Sequence, residues 1–231
     1  MKFSIVIPVF NEGNNLSLLV KKIKHFLKKY KYEIIIVDDS STDDSKNILK
    51  KLKKKFKNLK VIFRNKKRDL SKSCSEGFEI AKYDYVLVMD GDLQHNPKYI
   101  PLMVSKFDRN KCDFVIGARN LIKKRVKSLS FFRQSSSFIM IKFFDLIFGK
   151  KTIDPMSGFF LFKKKIYIRN KKNLFLKGFK ILADLIYSEK KFIVRDIVIK
   201  FDYRKKGDSK LNFKILLILL NFIIYRFLKN I

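Results

Sequence analysis

The sequence has no tryptophan, only two cysteines, four prolines and two histidines in 231 residues. Cys74 and Cys112 lie far apart, without CxxC spacing or a histidine cluster beside them. Neither a zinc site nor a disulfide framework is indicated, and a reducing, cytoplasmic setting is the simpler reading. Long apolar runs are missing too. The C-terminal stretch 211–231 is uncharged only from Ile215 to Tyr225, with Asn221 inside, against about twenty residues needed to span a bilayer. It reads as an interfacial or partner-binding helix. The opening run Met1 to Pro8 meets a proline and then polar residues too soon for a signal-peptide core, so it reads as a first β-strand. Neither G-x-G-x-x-G nor G-x-x-x-x-G-K-[ST] occurs, which disfavours a dinucleotide oxidoreductase and a P-loop enzyme.

Acidic residues are scarce: 21 Asp and Glu face 53 Lys and Arg, a formal charge of +32. Such a charge attracts nucleic acid, anionic lipid or anionic substrates, and alone it does not choose among them. Lysine runs such as Lys50 to Lys57 read first as solvated faces. What is abundant is apolar matter, 47% of the chain with 24 Phe, enough to fill the interior of one α/β domain of this length.

The first half alternates β-branched runs with lysine-rich amphipathic stretches, the pattern of βα units feeding a parallel sheet. Strands are expected at Lys2 to Pro8, Tyr32 to Asp38, Leu59 to Phe63, Tyr85 to Met89 and Asp113 to Gly117. Helices are expected at Asn14 to Tyr30, Asp43 to Phe56, Leu70 to Ala81 and Lys98 to Asn110. Thr42 or Ser41 is the natural cap of the second helix, with Asp43 and Asp44 in its first turn. Strands ending at Pro8, Asp38 and Met89 run straight into polar or acidic residues, which an open parallel sheet gathers at its carboxyl, ligand-binding edge. Residues 128–148 are Phe-rich but carry Arg133, Lys142 and Asp145, so they suit an amphipathic, membrane-facing helix. The catalytic domain is expected to occupy residues 1–210, with 211–231 as an interfacial helix.

The chemistry concentrates in Met89-Asp90-Gly91-Asp92-Leu93-Gln94, where an apolar strand delivers two carboxylates one residue apart, then an amide. These are hard oxygen ligands suited to Mg²⁺ or Mn²⁺. A second acidic run, Asp38 to Asp44, contains a helix cap. Asp39 stands apart, because a carboxylate at a sheet edge can accept hydrogen bonds from a base N–H.

Taken in order, the motifs resemble glycosyltransferase family 2, and within it the polyprenyl-phosphate sugar synthases typified by dolichyl-phosphate mannosyltransferase. The segments are Ser4 to Glu12, Val37 to Ser40, Arg68 to Lys72 leading to Glu76-Gly77-Phe78, Asp90 to Pro97, Gly117-Ala118-Arg119, Ser157-Gly158-Phe159-Phe160, Gly178-Phe179-Lys180, and Tyr203 to Leu211. Gln94-His95, the SGFF segment and the RxxGxSKL tail point to the lipid-phosphate branch. Two positions depart from the pattern: Gly91 replaces a commoner alanine, a mild change that loosens the loop, and Asp69 sits where glycine is frequent, so its backbone should avoid the glycine-only region.

The resemblance implies a GT-A fold, Rossmann-like, and inversion at the anomeric carbon. It implies that Pro8, Phe10, Glu12, Val37 and Asp39 surround base and ribose, and that Asp90, Gly91, Asp92 and Gln94 hold metal and diphosphate. Arg119, Arg133, Arg204 and Lys210 match basic positions around the donor or acceptor phosphates, and Asp184 is held as a backup acid or base. The implied reaction moves a hexose from GDP-mannose or a UDP-sugar to a polyprenyl or dolichyl phosphate, on the cytoplasmic face of a membrane with anionic lipid, with room for a membrane-embedded partner protein. A lipid phosphate is already ionised near neutral pH, so no side-chain base is required, unlike transfer to a hydroxyl. Two alternatives stand: a family 2 transferase acting on a saccharide hydroxyl in surface polysaccharide synthesis, and a non-enzymatic basic protein binding membrane or nucleic acid.

Overall fold

A computed structural model of the chain describes residues 1–119, 145–178, 181–200, 221–226 and 228. Continuous apolar runs such as Ile5 to Val9 and Ile34 to Val37 are buried along their length, as strands covered on both faces must be. They form a seven-stranded sheet in the order β3-β2-β1-β4-β6-β5-β7. Its strands are β1 (Lys2–Val9), β2 (Lys31–Asp38), β3 (Leu59–Phe63), β4 (Tyr85–Val88), β5 (Phe114–Arg119), β6 (Phe160–Lys163) and β7 (Val194–Ile199). β1 pairs parallel with β2 and β4, and β2 parallel with β3. β6 runs antiparallel between β4 and β5, and β7 continues parallel to β5. The five strands expected from periodicity are all present; β6 and β7 were not anticipated.

Helices cover both faces. On one side α1 (Gly13–Phe26), α2 (Ser45–Lys55) and α4 (Ile100–Asn110) bury Leu16, Leu19, Ile23, Leu49, Met103 and Phe107 against Phe3, Ile5 and Ile7. On the other, α3 (Leu70–Ile80), α5 (Lys164–Asn170) and α6 (Ile181–Ile186) bring Phe78, Tyr167 and Leu185 onto Val6, Ile35 and Phe162. The alternation along β1 sends Ile5 and Ile7 to the first core and Val6 to the second, as period-two side chains require.

α3 lies unusually close to the sheet because its middle carries Gly77. A Cβ there would meet Val6 Cγ1 at 2.5 Å, which explains the glycine in the Glu76-Gly77-Phe78 segment. Gly77→Ala is expected to destabilise the fold by about 1–3 kcal/mol through overpacking. Urea unfolding checks this; an unchanged midpoint would contradict the close approach.

The cap of α2 differs from expectation. The helix opens at Ser45 after Asp44, with no side-chain bond from that cap residue, while Asp43 Oδ1 accepts from Ser45 N. Ser41 and Thr42 instead accept from Asn11, through its backbone N–H and side-chain amide respectively. Their hydroxyls are drawn to the loop after β1, which lies alongside. No described helix is long and apolar enough to cross a membrane. The expected membrane-facing helix at 128–148 falls outside the described residues except for 145–148, which are helical. Within 211–231, residues 221–226 are helical and one side is seated on the domain: Phe222 and Arg226 are buried, while Ile224 and Leu228 are exposed.

Candidate active site

Because β1, β2 and β4 run parallel, their carboxyl ends meet at one edge. Pro8 and Val37 pair in register one step before it. Beyond it, Asn11 turns with φ 58° and Ser40 with φ 62°, left-handed conformations that short polar side chains tolerate. The two loops are stitched together: Thr42 N donates to Asn11 Oδ1 at 2.8 Å, Glu12 N to Ser45 Oγ at 3.1 Å, and Gly13 N to Asp43 Oδ2 at 3.0 Å. Glu12 also accepts from Asn15 Nδ2 at 2.6 Å. Phe10 lies under Arg68, whose guanidinium sits 4.1 Å from the ring centroid.

Asp39, the expected base-reading carboxylate, is nearly enclosed. It forms an ion pair with Arg64 through Oδ1 and accepts from Asp69 N through Oδ2 at 2.8 Å. Burial raises its pKa, against the lowering effect of Arg64 and the hydrogen bonds. Asp69 itself is extended, φ −161°, and its side chain caps α3 by accepting from Lys72 N, so the glycine-only conformation is indeed avoided.

The acidic pair follows β4. The Asp90 side chain is 37% exposed, enough to meet a ligand, while Asp92 is buried and its Oδ1 accepts from Gln94 N at 3.1 Å. This turn is tightened by Leu93 at φ 66°. His95 is buried and stacks on Phe159 at 5.1 Å and 15°. Its Nδ1 accepts from Asp90 N at 2.9 Å, so the ring carries its proton on Nε2. Burial pushes its pKa down to about 4, and the neutral ring acts as a prop for the Asp90 backbone. Two glycines make room: a Cβ on Gly158 would lie 2.9 Å from both Asp90 carboxylate oxygens, and one on Gly91 would lie 2.8 Å from Val9 Cγ1. Gly91 therefore does more than loosen the loop, since even an alanine would press on the end of β1.

Arg119 ends β5 and is clamped by Asp154, which accepts from Nε at 2.8 Å and Nη2 at 3.1 Å. Burial opposes its charge, but Asp154 and then Asp90 outweigh it and raise its pKa. Asp154 was not singled out from sequence, nor was Arg64. Asp154 sits in a loop that Asp196 of β7 holds, accepting from Ile153 N at 3.0 Å and from the Thr152 hydroxyl. Asp184 is buried, its carboxylate accepts from Phe175 N and Leu176 N, and it is paired with Arg226. Arg133, Arg204 and Lys210 lie outside the described residues.

A family model described as glycosyl transferase family 2 matches residues 4–170. The chain belongs to glycosyltransferase family 2. Among curated relatives, the dolichol-phosphate mannosyltransferase of Pyrococcus furiosus is 36% identical over 99% of this chain, which spans 64% of that protein's length. The Saccharomyces cerevisiae enzyme of the same name is 28% identical over 94% of this chain and 84% of its own. Among solved structures, a Mycobacterium tuberculosis glucosyl-3-phosphoglycerate synthase with Mn²⁺, UDP and phosphoglyceric acid covers 99% of this chain and 78% of its own, at 16% identity and a TM-score of 0.69. At that identity the likeness speaks to the fold, which is GT-A as expected.

Proposed function

We propose that this glycosyltransferase moves a hexose, with inversion, from a nucleoside diphosphate sugar to a polyprenyl or dolichyl phosphate. The observation that carries the reading is the Asp90 and Asp92 pair at the carboxyl end of β4, propped by neutral His95 and faced by Gly158. Among the described residues no group of three His, Cys, Asp or Glu comes together. Two carboxylates and an amide oxygen fit a divalent ion of the Mg²⁺ or Mn²⁺ kind, which takes one or two carboxylates from a protein and completes its shell with substrate phosphates and water. Asp90, Asp92 and Gln94 would hold it. When bound, such an ion neutralises charge developing on the departing diphosphate. Pro8, Phe10, Glu12, Val37 and Asp39 line the base and ribose side, and Gly91 lets the backbone come close. Arg119, fixed by Asp154, supplies a fixed positive charge near Asp90, and Arg133, Arg204 and Lys210 are assigned to donor and acceptor phosphates.

A phosphate acceptor is its own nucleophile, and the side chains fit that chemistry. His95 has its Nδ1 engaged and Asp184 is held in an ion pair, which favours an acceptor that needs no side-chain base. The curated relatives named for dolichol phosphate favour this acceptor over a saccharide hydroxyl, and mannose over other hexoses. The +32 charge and the exposed Ile224 and Leu228 suit a peripheral place at an anionic membrane surface, where each nearby Lys or Arg contributes about 1 kcal/mol. With radiolabelled GDP-mannose or a UDP-sugar, polyprenyl phosphate and Mn²⁺, label is expected to enter the organic phase in an acid-labile linkage. Label confined to water-soluble saccharide would overturn the reading.

A further inference from the structure

Arg64 follows β3 directly and is 3% exposed, an uncommon position for a guanidinium unless it is paired. Its Nη1 pairs with Asp39 and donates to Ser73 Oγ at 3.1 Å and to the Asp69 carbonyl at 3.4 Å. Its Nε donates to Glu76 Oε1 at 3.0 Å. Among the described residues Nη2 is buried without an acceptor, which carries a cost. Ser40 closes the same corner by donating to the Arg64 carbonyl at 2.9 Å.

The consequence falls on Asp39. Only 6% of its side chain is exposed, so it cannot swing out to find a ligand and must be held pre-aimed. Arg64 occupies one site on Oδ1, Asp69 N one site on Oδ2, and the Ser73 hydroxyl bonds the same carboxylate. A carboxylate offers about four acceptor sites, so about one is left, in a fixed direction. The planar guanidinium fork is what fixes that direction; an ammonium on a flexible stem would hold the charge without the angle.

We infer that Arg64 is a positioning residue that aims the Asp39 carboxylate at the N–H edge of the donor's base, with Glu76 as the anchor behind it. This rests on the nucleotide-sugar reading above. Glu76 is a third exposed and engages Nε, a different nitrogen from the Nη1 that meets Asp39, so it acts on Asp39 through the guanidinium.

The test compares two probes in the presence of Mn²⁺, a nucleoside diphosphate (GDP and UDP in turn) and inorganic pyrophosphate, which lacks base and ribose. Arg64→Lys is expected to weaken the preferred nucleoside diphosphate about tenfold and to leave pyrophosphate within about twofold. Glu76→Gln is expected to act in the same direction, about two- to threefold, and it keeps the idea testable should Arg64→Lys fold poorly. In a double-mutant cycle, Arg64→Lys should add almost nothing on top of Asp39→Asn. Equal losses for both probes would mark a merely structural arginine, and so would full additivity; unchanged affinities in both variants would equally overturn the inference. If the unaltered protein bound pyrophosphate and neither nucleotide, the nucleotide-sugar reading itself would fail instead.

Discussion

Asp90→Asn is expected to lower sugar transfer on the order of a hundred- to a thousandfold while leaving the fold intact. Asparagine keeps the shape that Gly158 accommodates and the backbone N–H that His95 accepts from. It removes the negative charge from the more open of the two carboxylates. The loss of one electrostatic contact to a reacting diphosphate is of that size. The Asp90 side chain is 37% exposed, so the variant should unfold close to the unaltered protein. Asp92→Asn is the less clean experiment, because Asp92 Oδ1 also closes the turn on Gln94 N. Initial rates at saturating donor and a Mn²⁺ titration of nucleotide binding check the prediction. Undiminished transfer would remove the metal-bridged diphosphate from the mechanism; undiminished nucleotide binding with no transfer in either protein would return weight to a non-enzymatic basic protein.

How much of this was legible in the sequence follows from distance along the chain and from burial. β1 and β2 announce themselves because a strand covered on both faces is nearly continuous in apolar residues, as Ile5 to Val9 and Ile34 to Val37 are. The edge strand β7 reads Val194-Arg195-Asp196-Ile197-Val198-Ile199, and its exposed positions break the apolar run. β6 has four residues and enters antiparallel, so it interrupts the βα rhythm on which the reading depended. Asp90, Asp92 and Gln94 are local in sequence and could be read as one site. Arg119 and its clamp Asp154 are 35 residues apart, and Arg64 and Asp39 are 25 apart; no spacing rule connects them, and only the fold does. Gly77 and Gly158 were visible as family resemblance, but the reason for each, a neighbour within 3 Å of an added Cβ, is tertiary.

Arg226→Met should cost roughly 3–5 kcal/mol of stability, because it leaves a buried carboxylate without its counter-charge. Asp184 is buried, and Arg226 donates both to its carboxylate and to its backbone carbonyl, the latter at 2.6 Å. Phe175 N and Leu176 N still donate to the Asp184 oxygens in the variant, but two neutral donors do not replace a guanidinium. Adding Asp184→Asn removes the stranded charge and keeps a side-chain oxygen for one of the two amides, so the double variant should be more stable than Arg226→Met alone. Urea unfolding of the three proteins decides this, and a double variant no better than Arg226→Met would show that the pair is not a mutual one. The same series separates an ion pair from a catalytic base. A base removed by Asp184→Asn would cost about a hundredfold or more in turnover with stability little changed. An Asp184 engaged with the helix at 221–226 should instead lower stability while each folded molecule keeps transfer within about tenfold, the loss reaching the site only through the 174–178 loop, whose Gly178 N donates to Asp69 Oδ2 at 2.9 Å. Abolished turnover in a fully stable, donor-binding Asp184→Asn protein would assign proton removal to this residue and make a hydroxyl the acceptor.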